Sequence, residues 1–224
     1  MVKGQAARRR RPASAGRTAG PARSEGDGTA RERILASAYT LFSRHGIRKV
    51  GIEAIISHSG VARMTLYRNF ASKDDLVLAF LERRELRWTK EWLQSETGRR
   101  ASTPQEQLLA IFDLFDGWFR RGDFEGCSFI NVLLEASDPT SSVHKASARH
   151  LGRIRSFVER LAKAAGIKRP AEFAHTWHIL MKGSIVAAGE GDRDAARRAK
   201  ELGALLLASA MSGSIKKRGR RTST

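Results

Sequence analysis

The sequence predicts an all-α protein, with a small N-terminal three-helix helix-turn-helix domain followed by a larger C-terminal helical domain. Three observations predict it. From Thr29 onward apolar residues recur at helical spacing nearly everywhere, with no convincing strand-like alternation. Helix-start signals stand at Thr29-Ala30-Arg31-Glu32, Ser72-Lys73-Asp74-Asp75 and Thr103-Pro104-Gln105-Glu106. Glycines such as Gly46 and Gly166 fall where the periodic runs end.

The first helix opens on a capping box, in which the Thr29 hydroxyl and the Glu32 carboxylate close the free amides of the first turn. Ile34, Leu35, Ala38, Leu41 and Phe42 form its apolar face, and Gly46 is placed to stop it in a left-handed conformation. A second short helix, about 52–58, offers Ile52, Ile55 and Ile56. Gly60 turns the chain into a third, about 62–69. Ser72 caps a fourth, whose Leu76, Leu78, Phe80 and Leu81 return to the same core and which continues to about Glu96 with Leu86, Trp88, Trp92 and Leu93. The link of about three residues between the second and third helices is the length a helix-turn-helix needs. Thr103 then opens a helix carrying Leu108, Ile111, Phe112, Phe115, Trp118 and Phe119, apolar on more than one side and so buried from several directions. A short apolar helix at 127–136 follows the break at Gly122 and Gly126, and the next spans about 142–165. Two last helices, 170–189 and 192–211, joined by Gly189-Glu190-Gly191, form an antiparallel pair. The expected division is a basic arm at 1–28, the helix-turn-helix domain at 29–81, the second helical domain at 82–211 and a basic tail at 212–224.

The run Gly60-Val61-Ala62-Arg63-Met64-Thr65-Leu66-Tyr67-Arg68-Asn69-Phe70 is the most informative in the chain. Val61, Leu66 and Phe70 anchor a short helix to the core. Most of Arg63, Met64, Thr65, Tyr67, Arg68 and Asn69 can donate hydrogen bonds to phosphates or base edges. A short helix held from behind and presenting donors in front suits the DNA major groove.

Composition agrees. Over 224 residues the net charge is +18 and the isoelectric point about 11.2, which favours a polyanionic partner. Residues 1–28 hold seven basic against two acidic residues, and residues 212–224 hold five basic and no acidic ones. Both tails are too poor in apolar residues to fold alone. They read as solvated chain, with the alternative that the N-terminal arm tracks phosphate or the minor groove. No apolar run approaches the roughly 20 residues of a membrane span, and no secretory signal is visible, so the chain reads as soluble and cytoplasmic. The single cysteine, Cys127, excludes an intramolecular disulfide and a multi-cysteine zinc site.

On the landmarks Ile34-Leu35, Leu41-Phe42, Gly46, Ile55, Gly60-Val61, Thr65-Leu66-Tyr67, Phe70, Lys73 and Leu76, residues 29–81 closely resemble the DNA-binding domain of tetracycline-repressor (TetR) family transcriptional regulators. The rest resembles the family in layout, and Gly126-Cys127-Ser128-Phe129-Ile130-Asn131 with Ala136-Ser137-Asp138-Pro139 looks like one branch of it. The resemblance implies that Tyr67 and Lys73 contact phosphate, that Thr65 reaches phosphate or base, and that Arg63 and Met64 set sequence preference. Asn69 stands where the family often has histidine, with a phosphate role implied, and Arg68 joins the same face. Gly51 and Ala62 depart from the usual hydroxyl caps of the second and third helices. The resemblance further implies a homodimer formed by the last two helices, an operator of near-palindromic DNA, and a small-molecule inducer with no tightly held cofactor.

Trp88, Trp92, Phe112, Phe115, Trp118, Phe129 and Trp177 read either as core packing or as the lining of an inducer cavity. Leu180, Ile185, Val186, Leu202, Leu205, Leu206, Ala208 and Ala210 pack within one subunit or between two. His175 and His178 are spaced as two metal ligands, but nothing nearby completes a set, and no metal is expected. Ser128 has no orientable base, and Gly189-Glu190-Gly191-Asp192 lacks the lysine of a phosphate-binding loop, so no enzyme is expected. The sequence is thus expected to be a ligand-released, sequence-specific repressor. Its rival is a non-specific architectural DNA binder driven by the tails, which deletion of 1–24 and 213–224 would disarm.

Overall fold

The computed structural model describes residues 28–212, so all but the innermost residues of the basic arm and tail lie outside the described part. Among the described residues every regular element is helical.

α1 (Ala30–Lys49) begins at Thr29, whose hydroxyl accepts the Glu32 N–H at 3.3 Å. Only this half of the expected capping box forms. The Glu32 carboxylate turns instead to the Arg83 guanidinium on the fourth helix and ties the start of α1 to it. Gly46 interrupts α1 as expected but not in the left-handed helical region: its φ of 79° is combined with an extended ψ of 165°, and residues 47–49 make one more helical turn. α2 (Ile52–Ser59) ends at Gly60, in left-handed conformation, and α3 (Arg63–Asn69) follows. Neither α2 nor α3 has a side-chain cap, as Gly51 and Ala62 dictate. Ser72 Oγ accepts the Asp75 N–H at 3.1 Å and starts α4 (Lys73–Arg84).

α4 does not stay an ordinary α-helix to Glu96. It runs on through a π-helical stretch, Glu85–Gln94, into α5 (Ser95–Arg100). Hydrogen bonds of i→i+5 type widen the turn, so residues four and five apart share a face. Trp88, Trp92 and Leu93 therefore turn toward the second domain together.

α6 (Pro104–Phe119) carries the complete capping box that Thr103 and Glu106 announce. It stops short of Gly122, where Arg120 and Arg121 fold onto Asp116 and Asp123. α7 (Ser128–Glu135) and α8 (Ser142–Ala164) come next, the latter capped by Ser141. α9 (Pro170–Gly189) pairs with α10 (Ala195–Met211). α10 starts later than its sequence pattern suggests, because the Asp192 carboxylate accepts the Asp194 N–H at 3.0 Å and holds 192–194 as a turn.

α1 to α4 enclose Ile34, Phe42, Ile55, Leu66, Leu76 and Phe80, all buried. α8 packs along α9 and α7, and α10 crosses α6 and α9 over Phe112 and Trp177. The two cores are continuous, because α4 packs against α1 on one side and α8 on the other. A second join lies at α7. The Glu135 carboxylate accepts the backbone N–H of Arg48 at 2.7 Å, and the Arg48 guanidinium donates to Ser137 Oγ at 3.2 Å.

Candidate nucleic-acid interface and interdomain cleft

α3 is short, and its orientation is fixed by three apolar anchors. Leu66 is fully buried, and Val61 and Phe70 are nearly so, with the Arg31 guanidinium 4.8 Å over the Phe70 ring. α2 is tied to α1 by His58 Nδ1 and Ser37 Oγ, 3.0 Å apart. With Leu66 facing inward, helical geometry turns Arg63, Met64, Tyr67 and Arg68 outward. Met64 is 64% and Tyr67 42% exposed, large values for side chains with so much apolar surface. Thr65, Asn69 and Lys73 are half-buried, Lys73 at the first position of α4.

Two of these residues already have partners. The Arg63 guanidinium lies 2.6 Å from the Glu53 carboxylate of α2, both side chains being mostly exposed. Such a pair contributes only about 0.2–1 kcal/mol and is easily exchanged. Asn69 Nδ2 donates to the Thr65 carbonyl at 2.8 Å, so its amide closes its own helix in this state.

A cleft of about 440 Å³ opens between α1 and the second domain. Tyr39, Ser43 and Arg44 of α1 form one wall. Arg84 with Arg87, Trp88 and Trp92 of the π-helical stretch, and Trp118 of α6, form the other, with Arg121, Asp123 and Glu125 at its edge. The three indoles make a cluster, with ring centroids 5.3 Å (Trp88–Trp92), 5.3 Å (Trp88–Trp118) and 5.9 Å (Trp92–Trp118) apart. Of the aromatics expected either as core or as cavity lining, Trp88, Trp92 and Trp118 reach this cleft. Phe112, Phe115, Phe129 and Trp177 are buried in the packed interior and do not line it. The arginines of the cleft were not singled out from sequence. Their one signal is the run Arg83-Arg84-Glu85-Leu86-Arg87-Trp88, in which basic and aromatic residues interleave.

Among the described residues no cluster of three or more ligand-type side chains occurs. His150 and Glu85, both buried, meet at 3.0 Å between α8 and the π-helical stretch, with Phe129 stacked on the imidazole. His178 is buried on α9, and burial first, then the charges of Lys182, Arg155 and His175, push its pKa down to about 4. The folded state therefore favours the neutral ring, and the unfolded chain, titrating near 6.5, takes up the proton first. Stability from this group is complete above pH 6.5 and falls as the pH approaches 4, by about 3 kcal/mol at about 1.4 kcal/mol per pKa unit. Urea unfolding of the wild type and His178→Gln at pH 7.5 and pH 4.5 should show the pH-dependent loss shrinking in the variant.

A sequence profile of bacterial regulatory proteins of the tetR family matches residues 34–80, from within α1 to within α4, and includes all the anchors of α3. The N-terminal helical segment is thus matched to the DNA-binding domain of the tetR family. The chain's fold is that of TetR-family structures over most of its length. A TetR-family transcriptional regulator of Streptomyces coelicolor superposes with a TM-score of 0.75 at 28% identity, over 81% of this chain and 89% of that one. A putative TetR transcriptional regulator of Streptomyces avermitilis gives 0.73 at 25% identity, over 82% and 99%. The reduced form of Escherichia coli NemR shares the fold, with a TM-score of 0.70 at 18% identity over 78% and 95%. No curated protein matches the chain by sequence. The N-terminal match and the two Streptomyces regulators support a DNA-binding transcriptional regulator. No described helix is long and apolar enough to cross a membrane.

Proposed function

We propose that the chain is a homodimeric repressor that reads a near-palindromic operator through residues 29–75 and is released by a small molecule held in its second domain. The observation that carries this is the face of α3. Met64, Tyr67, Arg63 and Arg68 stand out from a helix whose Leu66 is fully buried. Tyr67 and Lys73 bind phosphate and set the register, Arg63 and Met64 specify, and Thr65, Arg68 and Asn69 complete the contact surface. Arg63 leaves Glu53 to bind a guanine edge.

One recognition helix covers too few base pairs to be selective, so two copies must act together. The dimer forms through α9 and α10. Ile179, Val186, Leu202 and Leu205 lie on them, each more than half exposed, and offer apolar surface to a partner. The two copies of α3 must then enter successive major grooves about 34–36 Å apart. A ligand against α4 and its π-helical continuation favours a different spacing and shifts the population away from the binding-competent state.

The test is a gel-shift titration on an operator selected from random DNA. Tyr67→Phe removes one phosphate hydrogen bond and should weaken binding by about 1 kcal/mol, several-fold, on every sequence. Lys73→Ala should lower the salt slope by about one and leave sequence preference unchanged. Arg63→Ala should relax preference at one base pair, by about 1–3 kcal/mol. Unchanged affinity for Tyr67→Phe and Lys73→Ala would remove the phosphate assignment, and a selected pool without a palindrome would remove the operator-reading dimer.

A further inference from the structure

The cleft between α1 and the π-helical stretch has a definite chemistry. Four guanidiniums line it against two carboxylates. Arg44 lies 3.8 Å from Glu125, and Arg121 grips Asp123 at 2.7 Å through two hydrogen bonds. Arg84 and Arg87 have no carboxylate partner among the described residues. Both lie over the Tyr39 ring, at 5.6 and 5.4 Å, and Arg84 Nη1 donates to Tyr39 Oη at 2.8 Å. The surplus charge of the cleft is therefore positive and sits beside aromatic rings.

The three indoles offer flat faces and edges for stacking. The volume of about 440 Å³ suits a small organic molecule.

We propose that this cleft binds a flat aromatic carboxylate, its ring among Trp88, Trp92 and Trp118 and its anionic group on Arg84 and Arg87. A guanidinium fork matches a carboxylate with two parallel hydrogen bonds. The surplus positive charge disfavours aromatic cations. The ligand would touch α1 of the DNA-binding domain directly as well as the second domain. This names the effector class for the ligand-released reading and rests on it, although binding itself is measurable without DNA.

The probes are naphthalene-2-carboxylate and its uncharged twin, naphthalene-2-carboxamide, titrated into the full chain. Tryptophan fluorescence reports the site, since three of the four tryptophans line it, and calorimetry gives the stoichiometry. One carboxylate should bind per chain, about tenfold or more tighter than the amide, the worth of a charge-assisted hydrogen-bond pair. In R84A/R87A that preference should vanish while amide binding persists. Equal affinity for the two probes, or no saturable binding of the carboxylate, overturns the proposal on the unaltered chain, with no appeal to a variant. Carboxylate binding that leaves operator affinity unchanged supports the site and overturns the effector reading alone.

Discussion

Gly46→Ala is expected to destabilise the chain by about 2–4 kcal/mol through two separable effects. The first is conformational. A φ of 79° with ψ of 165° is open to glycine and strained for any residue with a Cβ, at about 1–3 kcal/mol. The second is the join between domains. A Cβ built on Gly46 would come within 2.5 Å of Glu135 Oε1, the carboxylate that accepts the Arg48 N–H. Displacing that carboxylate, the far end of a flexible side chain, forfeits a solvent-exposed hydrogen bond, about 0.5–1.5 kcal/mol, and loosens the join of α7 to α1. Urea unfolding of Gly46→Ala, Glu135→Ala and the double variant separates the two. Glu135→Ala alone should show only the second loss, and the double variant should cost less than the sum of the singles. Strict additivity would mean that the carboxylate and the glycine act independently, against the geometry of this join.

Val186→Glu combined with Leu205→Glu is expected to leave a folded monomer that binds operator about 10²–10⁴-fold more weakly, the effect of losing the second, linked recognition helix. Val186 is 52% and Leu205 69% exposed on one subunit, so charges there add little strain to the monomer fold. In a dimer they would place like charges and unpaired carboxylates in an apolar seam, where each is strongly disfavoured. Sedimentation velocity and gel shift should change together. A variant that stays dimeric would show that α9 and α10 do not form the interface. A monomer with full operator affinity would show that the operator is read by single chains.

The N-terminal half was legible in the sequence because its signals are local. Capping residues, helical spacing and a glycine turn act over a few positions, so α2, α3 and the start of α4 fall within a residue of their expected bounds. What was not legible depends on partners distant in the chain. Glu32 has a perfectly placed cap to close, yet Arg83 competes for its carboxylate from 51 residues away. The π-helical stretch is another case, since Glu85–Gln94 fits an ordinary amphipathic helix by composition. Buried Glu85, which meets His150 of α8, reads in sequence as a surface acid. The aromatic residues of the second domain are ambiguous in sequence between core and cavity. Periodicity locates a buried face but cannot tell a filled interior from a cleft, and only packing divided Trp88, Trp92 and Trp118 from Phe112, Phe115, Phe129 and Trp177.

The Arg63–Glu53 pair has a consequence for how strictly an operator is read. Under the proposed function, a correct guanine must lure Arg63 from a partner it already owns, and a wrong base leaves it with that partner instead of stranded. The penalty for a mismatch is thus limited from above. Discrimination at that base pair becomes the difference between a bidentate base contact of about 1–3 kcal/mol and an exposed ion pair of about 0.2–1 kcal/mol. On that reading Glu53 would act as a fallback, and variation among operators would be tolerated at that one position while the phosphate contacts hold the register.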